Sequence, residues 1–230
     1  MKLQDAIVII TGANRGIGFS FAEAALARGA RKVYAGARNP TSITTPGLIP
    51  LKLDVTSDED VANAARTCGD ATLVVNNAGI AHSGGLLNPE ANEAARAQFE
   101  TNVFGIIRMT QAFAPVLARN GGGAFLNVLS AASWINSGAM TAYAVSKAAA
   151  WSLTNGLRNE LRQQKTQVLG LHVGFVDTDL ARGVDVSKVS PQSVATAAFD
   201  ALEAGASEVL ADERAWTVKH GLTTEPPIYL

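Results

Sequence analysis

The chain predicts an α/β fold: a doubly wound parallel sheet of about seven strands with helices on both faces. Three observations carry that expectation. Short apolar runs, many rich in β-branched residues, alternate with segments of helical spacing along the chain. The first run, Ala6–Ile10, leads straight into a glycine-rich turn, Thr11-Gly12-Ala13-Asn14-Arg15-Gly16-Ile17-Gly18, and then into helical spacing over Phe19–Arg28. No linker, internal repeat or low-complexity tract divides the 230 residues, a length that suits one α/β domain.

Each element has its own justification. Ala6–Ile10 is apolar at every position, as a central strand buried on both faces should be. Lys32–Gly36 reads as the second strand. Asn39–Pro50 is rich in Pro, Thr and Gly and reads as a loop where a crossover helix would be expected. Ile49–Leu53 is the third strand, and Ser57 caps a helix that runs to about Thr67 with Asp60 in its first turn. Ala71–Val75 is the fourth strand. Pro89 to about Arg119 is long and mostly helical, with Asn102 and Gly105 inside it. The turn Gly121–Gly123 opens the fifth strand, Ala124–Leu129, and a helix runs from Tyr143 to about Gln164. Thr166–Val173 is the sixth strand. Asp179 to Ser190 is polar and irregular, suggesting a short lid. Pro191–Ala204 is a helix with proline near its first position. Glu208–Ala211 is a last short strand, and the tail from Asp212 to Leu230 reads as loosely structured.

Composition narrows the function. Hydrophobic residues make up 47% and charged residues 17%, with a formal net charge of −1. No basic excess points to nucleic acid or an anionic membrane, and no apolar stretch is long enough to span a bilayer. The single cysteine, Cys68, excludes an internal disulfide and suits a reducing compartment, so a cytoplasmic protein is expected. His82, His172 and His220 are isolated, without the spacing of a metal site, and each reads as a satisfied or solvated histidine.

The chemistry gathers on Ser130–Lys147. Tyr143 and Lys147 stand four apart at a helix start, so they share a face. Ser130 sits at a strand end, where an open α/β sheet presents its ligands. An ammonium near a phenol favours the phenolate and lowers the Tyr143 pKa. Such a phenol can give a proton to a carbonyl oxygen and take it back, with Ser130 hydrogen-bonding the same oxygen. Upstream, Gly12 allows the tight turn, Gly16 lets backbone approach a pyrophosphate and Gly18 lets the helix pack on the sheet; Asn14, Arg15 and Ile17 complete that turn. The second strand ends in Ala37-Arg38 without the acid that would bind ribose hydroxyls, and Arg15 adds a second cation, which favours NADP(H). Asn76-Asn77-Ala78-Gly79 puts small and amide residues at another strand end, suited to close approach of a ligand.

Taken together, the glycine turn, the Asn76–Gly79 run, Asn102, Ser130 and Tyr143-x-x-x-Lys147 resemble the short-chain dehydrogenase/reductase family from Ala6 to about Ala211. The resemblance implies a seven-stranded Rossmann sheet and one dinucleotide-binding catalytic domain over residues 1–230. It implies Tyr143 as general acid–base, Ser130 orienting the carbonyl, Lys147 binding the nicotinamide ribose and lowering the Tyr pKa, and Asn102 holding a relay water. It places Asp54 and Val55 beside the adenine and has Asn77 steadying the strand beneath the cofactor. Gly174, Val176 and Thr178 fall at the nicotinamide, with the Thr178 hydroxyl meeting its amide. The family's usual Pro-Gly after the sixth strand is Val173-Gly174 here, and the glycine-rich ending that often joins tetramers is missing. A homodimer on the helices near Phe99–Leu117 and Tyr143–Gln164 is therefore expected.

The expected activity is NADP(H)-dependent interconversion of an aldehyde or ketone and an alcohol. Its apolar body would lie against Ala132, Trp134, Ile135, Met140, Phe175 and Leu180. The alternatives are an NADP(H)-binding sensor without turnover, and redox-neutral chemistry such as dehalogenation. The intact Ser, Tyr and Lys argue against the first, and the glycine turn with Lys147 against the second.

Overall fold

Strand β1 (Ile7–Thr11) is buried at all five positions, and its alternate side chains enter two different cores. Val8 and Ile10 face one side of the sheet, Ile7 and Ile9 the other, which is why the strand reads as an unbroken apolar run. The computed structural model describes all 230 residues. The other strands are β2 (Lys32–Ala37), β3 (Leu48–Lys52), β4 (Leu73–Asn76), β5 (Gly123–Val128), β6 (Thr166–His172) and β7 (Glu208–Leu210). All pair in parallel, in the order β3-β2-β1-β4-β5-β6-β7. Chain direction across the sheet reverses between β1 and β4, and such a switch point opens a crevice at the strands' carboxyl ends.

On one face lie α1 (Gly16–Ala27) and α6 (Pro191–Glu203), whose Phe21 and Phe199 rings meet with centroids 5.2 Å apart. On the other lie α2 (Asp58–Thr67), α4 (Gly105–Arg119) and α5 (Thr141–Glu160). Local chemistry sets the ends of these helices. Ser57 Oγ accepts from the Asp60 amide at 3.2 Å, and Ser190 Oγ from the Ser193 amide at 3.1 Å just ahead of Pro191. No helix is long and apolar enough to cross a membrane.

Two elements differ from the sequence expectation, while the stretch after β2 is helix-free as expected apart from one short turn. The long helix from Pro89 is two helices, α3 (Ala91–Phe99) and α4, joined by a π-helical turn over Glu100–Phe104. Asn102 lies in that turn. The stretch after β2 holds a single 3-10 turn, Pro40–Ser42, so the edge strand β3 has no helix of its own over it and tolerates Pro50. The tail expected to be loose instead forms α7 (Glu213–Gly221). Asp212 caps it through the Ala215 amide at 2.7 Å, and Ala215, Val218 and Gly221 are buried. Residues beyond it fold back, the Ile228 amide reaching the Gly221 carbonyl at 2.9 Å.

Candidate active site

The carboxyl ends of β1, β4 and β5 carry the residues singled out above, and buried polar stitching holds them there. Thr11 Oγ1 accepts from the Asn77 and Ala78 amides, both at 2.9 Å, while Asn77 Nδ2 donates to the Thr11 and Gly12 carbonyls at 2.9 and 3.2 Å. The ends of β1 and β4 are thereby locked together. Gly12 and Gly16 have φ of +64° and +56°, which an L side chain rarely adopts. A Cβ on Gly18 would stand 2.2 Å from the Gly12 carbonyl oxygen and 2.5 Å from Asn77 Nδ2. Gly18→Ala is therefore expected to destabilise the fold by roughly 1–3 kcal/mol through overpacking. The urea midpoint measures this; an unchanged midpoint would contradict the close approach.

The start of α1 suits an anion. Arg15 provides no side-chain cap, and the Gly16, Ile17 and Gly18 amides find no acceptor within the chain. Three amides at a helix start form a ready anion cradle. The Arg15 guanidinium pairs with Asp179 at 2.7 Å rather than standing as the free second cation expected of it. Arg38, at the end of β2, is exposed and makes no ion pair. Asp54 caps its own turn through Thr56, and Val55 is buried against Gly105.

Helix α5 brings Tyr143 and Lys147 to this edge. A buried ladder pins the helix: Asn76 Nδ2 donates to Asn127 Oδ1 at 2.8 Å, and Asn127 Nδ2 to Thr154 Oγ1 at 3.0 Å. Lys147 is buried, its Nζ donating to the Val128 carbonyl at 2.8 Å and lying 5.8 Å from the Tyr143 ring centroid. Burial pushes Lys147 down to about 8. Burial also raises the Tyr143 phenol above its usual range, and only the Ser130 hydroxyl works the other way. The expectation that Lys147 draws Tyr143 towards neutral pH is therefore not met by the protein's own groups. Desolvation sets the direction.

Asn102 is buried and its side chain is spent: Oδ1 accepts from the Ile80 amide at 2.9 Å, and Nδ2 donates to the Ile80 carbonyl and to Ser146 Oγ at 2.9 and 3.0 Å. Ser130 adopts extended backbone, and its Oγ accepts from the Ala132 amide at 3.1 Å. Opposite, the Gly174 amide donates to Asp212 Oδ2 at 2.7 Å, so it is committed to the cap of α7. The Val176 amide has no partner within the chain, and Thr178 Cγ2 would be 3.2 Å from a Cβ placed on Gly16. The glycine turn and the loop after β6 therefore meet at Gly16 and Thr178.

Several expected cleft residues belong to packing instead. Trp134 and Ile135 pack with Ala131, Ala215 and Val218 under α7, and Trp134 also stands edge-on to Trp151. Phe175 lies beneath the Arg214 guanidinium at 5.2 Å. Exposed apolar side chains gather instead at Leu86 and Leu87 and, after Thr178, at Leu180, Val184 and Val186. A groove of about 680 Å³ along α3, lined by Phe99 and Phe104 among others, contains none of the residues named above as site candidates. No three His, Cys, Asp or Glu side chains converge as a metal site requires. Cys68 is buried and its thiol is pushed up to about 12, which makes it inert.

His172, read from the sequence as a satisfied or solvated histidine, is the last residue of β6, and its Nδ1 meets the Ser130 carbonyl. It is completely buried, and burial pushes it down to about 4 from 6.5. Below pH 6.5 the unfolded chain takes up a proton that the folded chain refuses, so stability falls as pH drops towards 4 and is flat above neutrality. The full effect is about 3 kcal/mol. Denaturant midpoints across this window should fall less steeply for His172→Asn than for the parent; equal slopes would contradict the depressed value.

This arrangement matches known proteins. The sequence profile of the short chain dehydrogenase family matches residues 6–189. The chain belongs to that family of oxidoreductases. A short chain dehydrogenase from Burkholderia cenocepacia, solved in complex with NADP, is 38% identical with a TM-score of 0.94; the match covers 98% of this chain and 96% of that one. A 7α-hydroxysteroid dehydrogenase complexed with NADH and 7-oxo glycochenodeoxycholic acid is 27% identical, TM-score 0.83, over 91% and 93% of the two chains. An uncharacterised oxidoreductase of Staphylococcus saprophyticus is 28% identical, covering 88% of this chain and 93% of its own.

Proposed function

We propose that this protein is an NADP(H)-dependent oxidoreductase that interconverts an aldehyde or ketone and its alcohol by hydride transfer, with Tyr143 as general acid–base. The observation that carries the reading is the meeting of Tyr143, Ser130 and the buried Lys147 with the uncapped start of α1 at one sheet edge. The residues present fit a dinucleotide. Gly12, Asn14, Arg15, Gly16, Ile17 and Gly18 form the pyrophosphate turn, with the last three amides as donors. Arg38 is the free cation for a 2′-phosphate, while Asp54 and Val55 flank the adenine. Asn77, Ala78 and Gly79 form the floor, and a Cβ on Gly79 would come 3.7 Å from Lys147 Nζ. Gly174 provides backbone without a side chain, the Val176 amide is a free donor, and the Thr178 hydroxyl completes the nicotinamide wall. Bound there, NADPH supplies the hydride.

The chain's own residues manage the proton. Ser130 Oγ, with one lone pair taken by the Ala132 amide, turns its single proton to the substrate oxygen. Tyr143 gives its proton to that oxygen in reduction and removes it in oxidation. Lys147, buried beside Tyr143, would hold the ribose of the bound cofactor. Because the Asn102 side chain is fully engaged, a relay water would meet its main-chain carbonyl in the π turn, a kind of irregularity common at functional sites. The Burkholderia structure with NADP supports the cofactor, and the hydroxysteroid dehydrogenase with its 7-oxo ligand supports a ketone with an apolar body. Leu86, Leu87, Leu180, Val184 and Val186 are the apolar surface for that body.

The exposed Phe104 and Val145 on the helices near the α3 groove suit a second copy of the chain, and sedimentation equilibrium should give a dimer. The functional test is NADPH and NADH consumption across a panel of aldehydes and ketones. Consumption with NADPH is expected. Tight NADPH binding with no turnover across the panel would favour the sensor reading.

A further inference from the structure

His172 has no part in the proposed proton path, yet it touches the residue next to it in the chemistry. Parallel pairing of β5 and β6 continues past the strands, with the Leu129 amide on the Leu171 carbonyl at 2.7 Å and the Ala131 amide on the Val173 carbonyl at 2.9 Å. This register brings Ser130 beside His172. His172 Nδ1 lies 3.1 Å from the Ser130 carbonyl oxygen. A carbonyl only accepts, so Nδ1 carries the proton and Nε2 the lone pair of a neutral ring. Glu208 Oε1 stands 3.2 Å from Nε2 but off the line a hydrogen bond needs, and Lys219 pairs with the same carboxylate.

The ring is buried and one face is held by stacking. Trp134 stacks on it with centroids 3.8 Å apart and planes 16° from parallel. Lys219 of α7 covers the Trp134 ring at 5.5 Å, and Ala215 and Val218 of α7 pack beside it. The charged groups around His172 are Glu208 from β7, Lys219 from α7, and Arg158 and Lys147 from α5. Ser130 is thus held at two atoms: its Oγ by the Ala132 amide, and its carbonyl by His172 together with the Ser133 amide at 3.0 Å.

We propose that His172 is a positioning residue for Ser130. As the Nδ1–H tautomer it fixes the Ser130 main chain, and α7 with Trp134 holds the ring in place. The proposal rests on the reading of Ser130 as the hydroxyl that meets the substrate oxygen and Tyr143. Loss of the His172 donor leaves the Ser130 carbonyl to the Ser133 amide alone, lets the Ser130 hydroxyl drift from Tyr143, and moves the phenol's ionisation upward, because Ser130 is the side chain that favours the phenolate.

The test follows the Cζ resonance of carbon-13-labelled tyrosine in the NADP-bound protein through alkaline titration, with Tyr143 assigned by Tyr143→Phe. His172→Leu removes the donor, and His172→Gln displaces it by one carbon. His172→Asn keeps an N–H at the Nδ1 place. Leu and Gln should raise the Tyr143 midpoint by roughly half a pH unit or more and lower kcat about tenfold, with the KM for NADPH within about twofold. Asn should restore both. If His172→Leu fails to fold, the Gln and Asn pair makes the same comparison. An unmoved Tyr143 midpoint in His172→Leu and His172→Gln, or equal shifts in Asn and Gln, would overturn the proposal. A parent protein that turns over no carbonyl would sink the reductase reading instead, and the Tyr143 midpoint would still decide the role of His172.

Discussion

Tyr143→Phe is expected to lower kcat by roughly a thousandfold, the middle of the range for a positioned acid–base group, while the NADPH dissociation constant stays within about twofold. The substitution removes one oxygen and keeps the ring. The Tyr143 hydroxyl makes no hydrogen bond to the main chain, so the fold should be no less stable. Steady-state absorbance of NADPH and a fluorescence titration of binding separate the two quantities. A sensor would show the same behaviour with either residue. The raised phenol pKa adds a direction. At neutral pH Tyr143 is protonated, the form that reduction needs. Reduction should therefore persist into alkaline solution, while alcohol oxidation, which needs the phenolate, should rise with pH.

Arg38→Asp is expected to shift the NADPH-to-NADH preference by roughly a hundredfold or more. A charge-assisted hydrogen bond to a phosphate contributes about 1.5–3 kcal/mol, and the new carboxylate both repels the phosphate and accepts from the ribose hydroxyls of NADH. Arg38 is exposed and makes no ion pair, so the change should leave stability alone. Paired kcat/KM measurements with both cofactors give the ratio; an unchanged ratio would mean that the phosphate binds elsewhere. Arg15 should matter less, because Asp179 already holds its guanidinium.

What was legible in the sequence followed from periodicity. Central strands buried on both faces read as apolar runs, and the glycine turn had its strand and helix on either side. Tyr143 and Lys147 were legible because helix spacing alone puts them together. The helix α7 was not, although its signals were present: Asp212 as cap, Lys219 and His220 in the last turn, Gly221 at the end. Its buried face consists of small residues, Ala215, Val218 and Gly221, while Trp216 is exposed, so the apolar spacing was faint. With α7 missing, Trp134, Ile135 and Phe175 had nothing to pack on and read as cleft residues. His172 was hidden for a different reason. Its partner Ser130 is 42 residues away, and only the β5–β6 register joins them. The Tyr143 pKa expectation failed because burial, which the sequence does not display, raises the phenol.

The most direct test of hydride transfer uses NADPH deuterated at the nicotinamide C4 position and a carbonyl compound that the protein consumes. Deuterium should appear at the carbinol carbon of the product, from one face of the nicotinamide only, and Tyr143→Phe should suppress its transfer. Product that carries no deuterium, or deuterium released to solvent, would contradict direct transfer between the nicotinamide and a carbonyl.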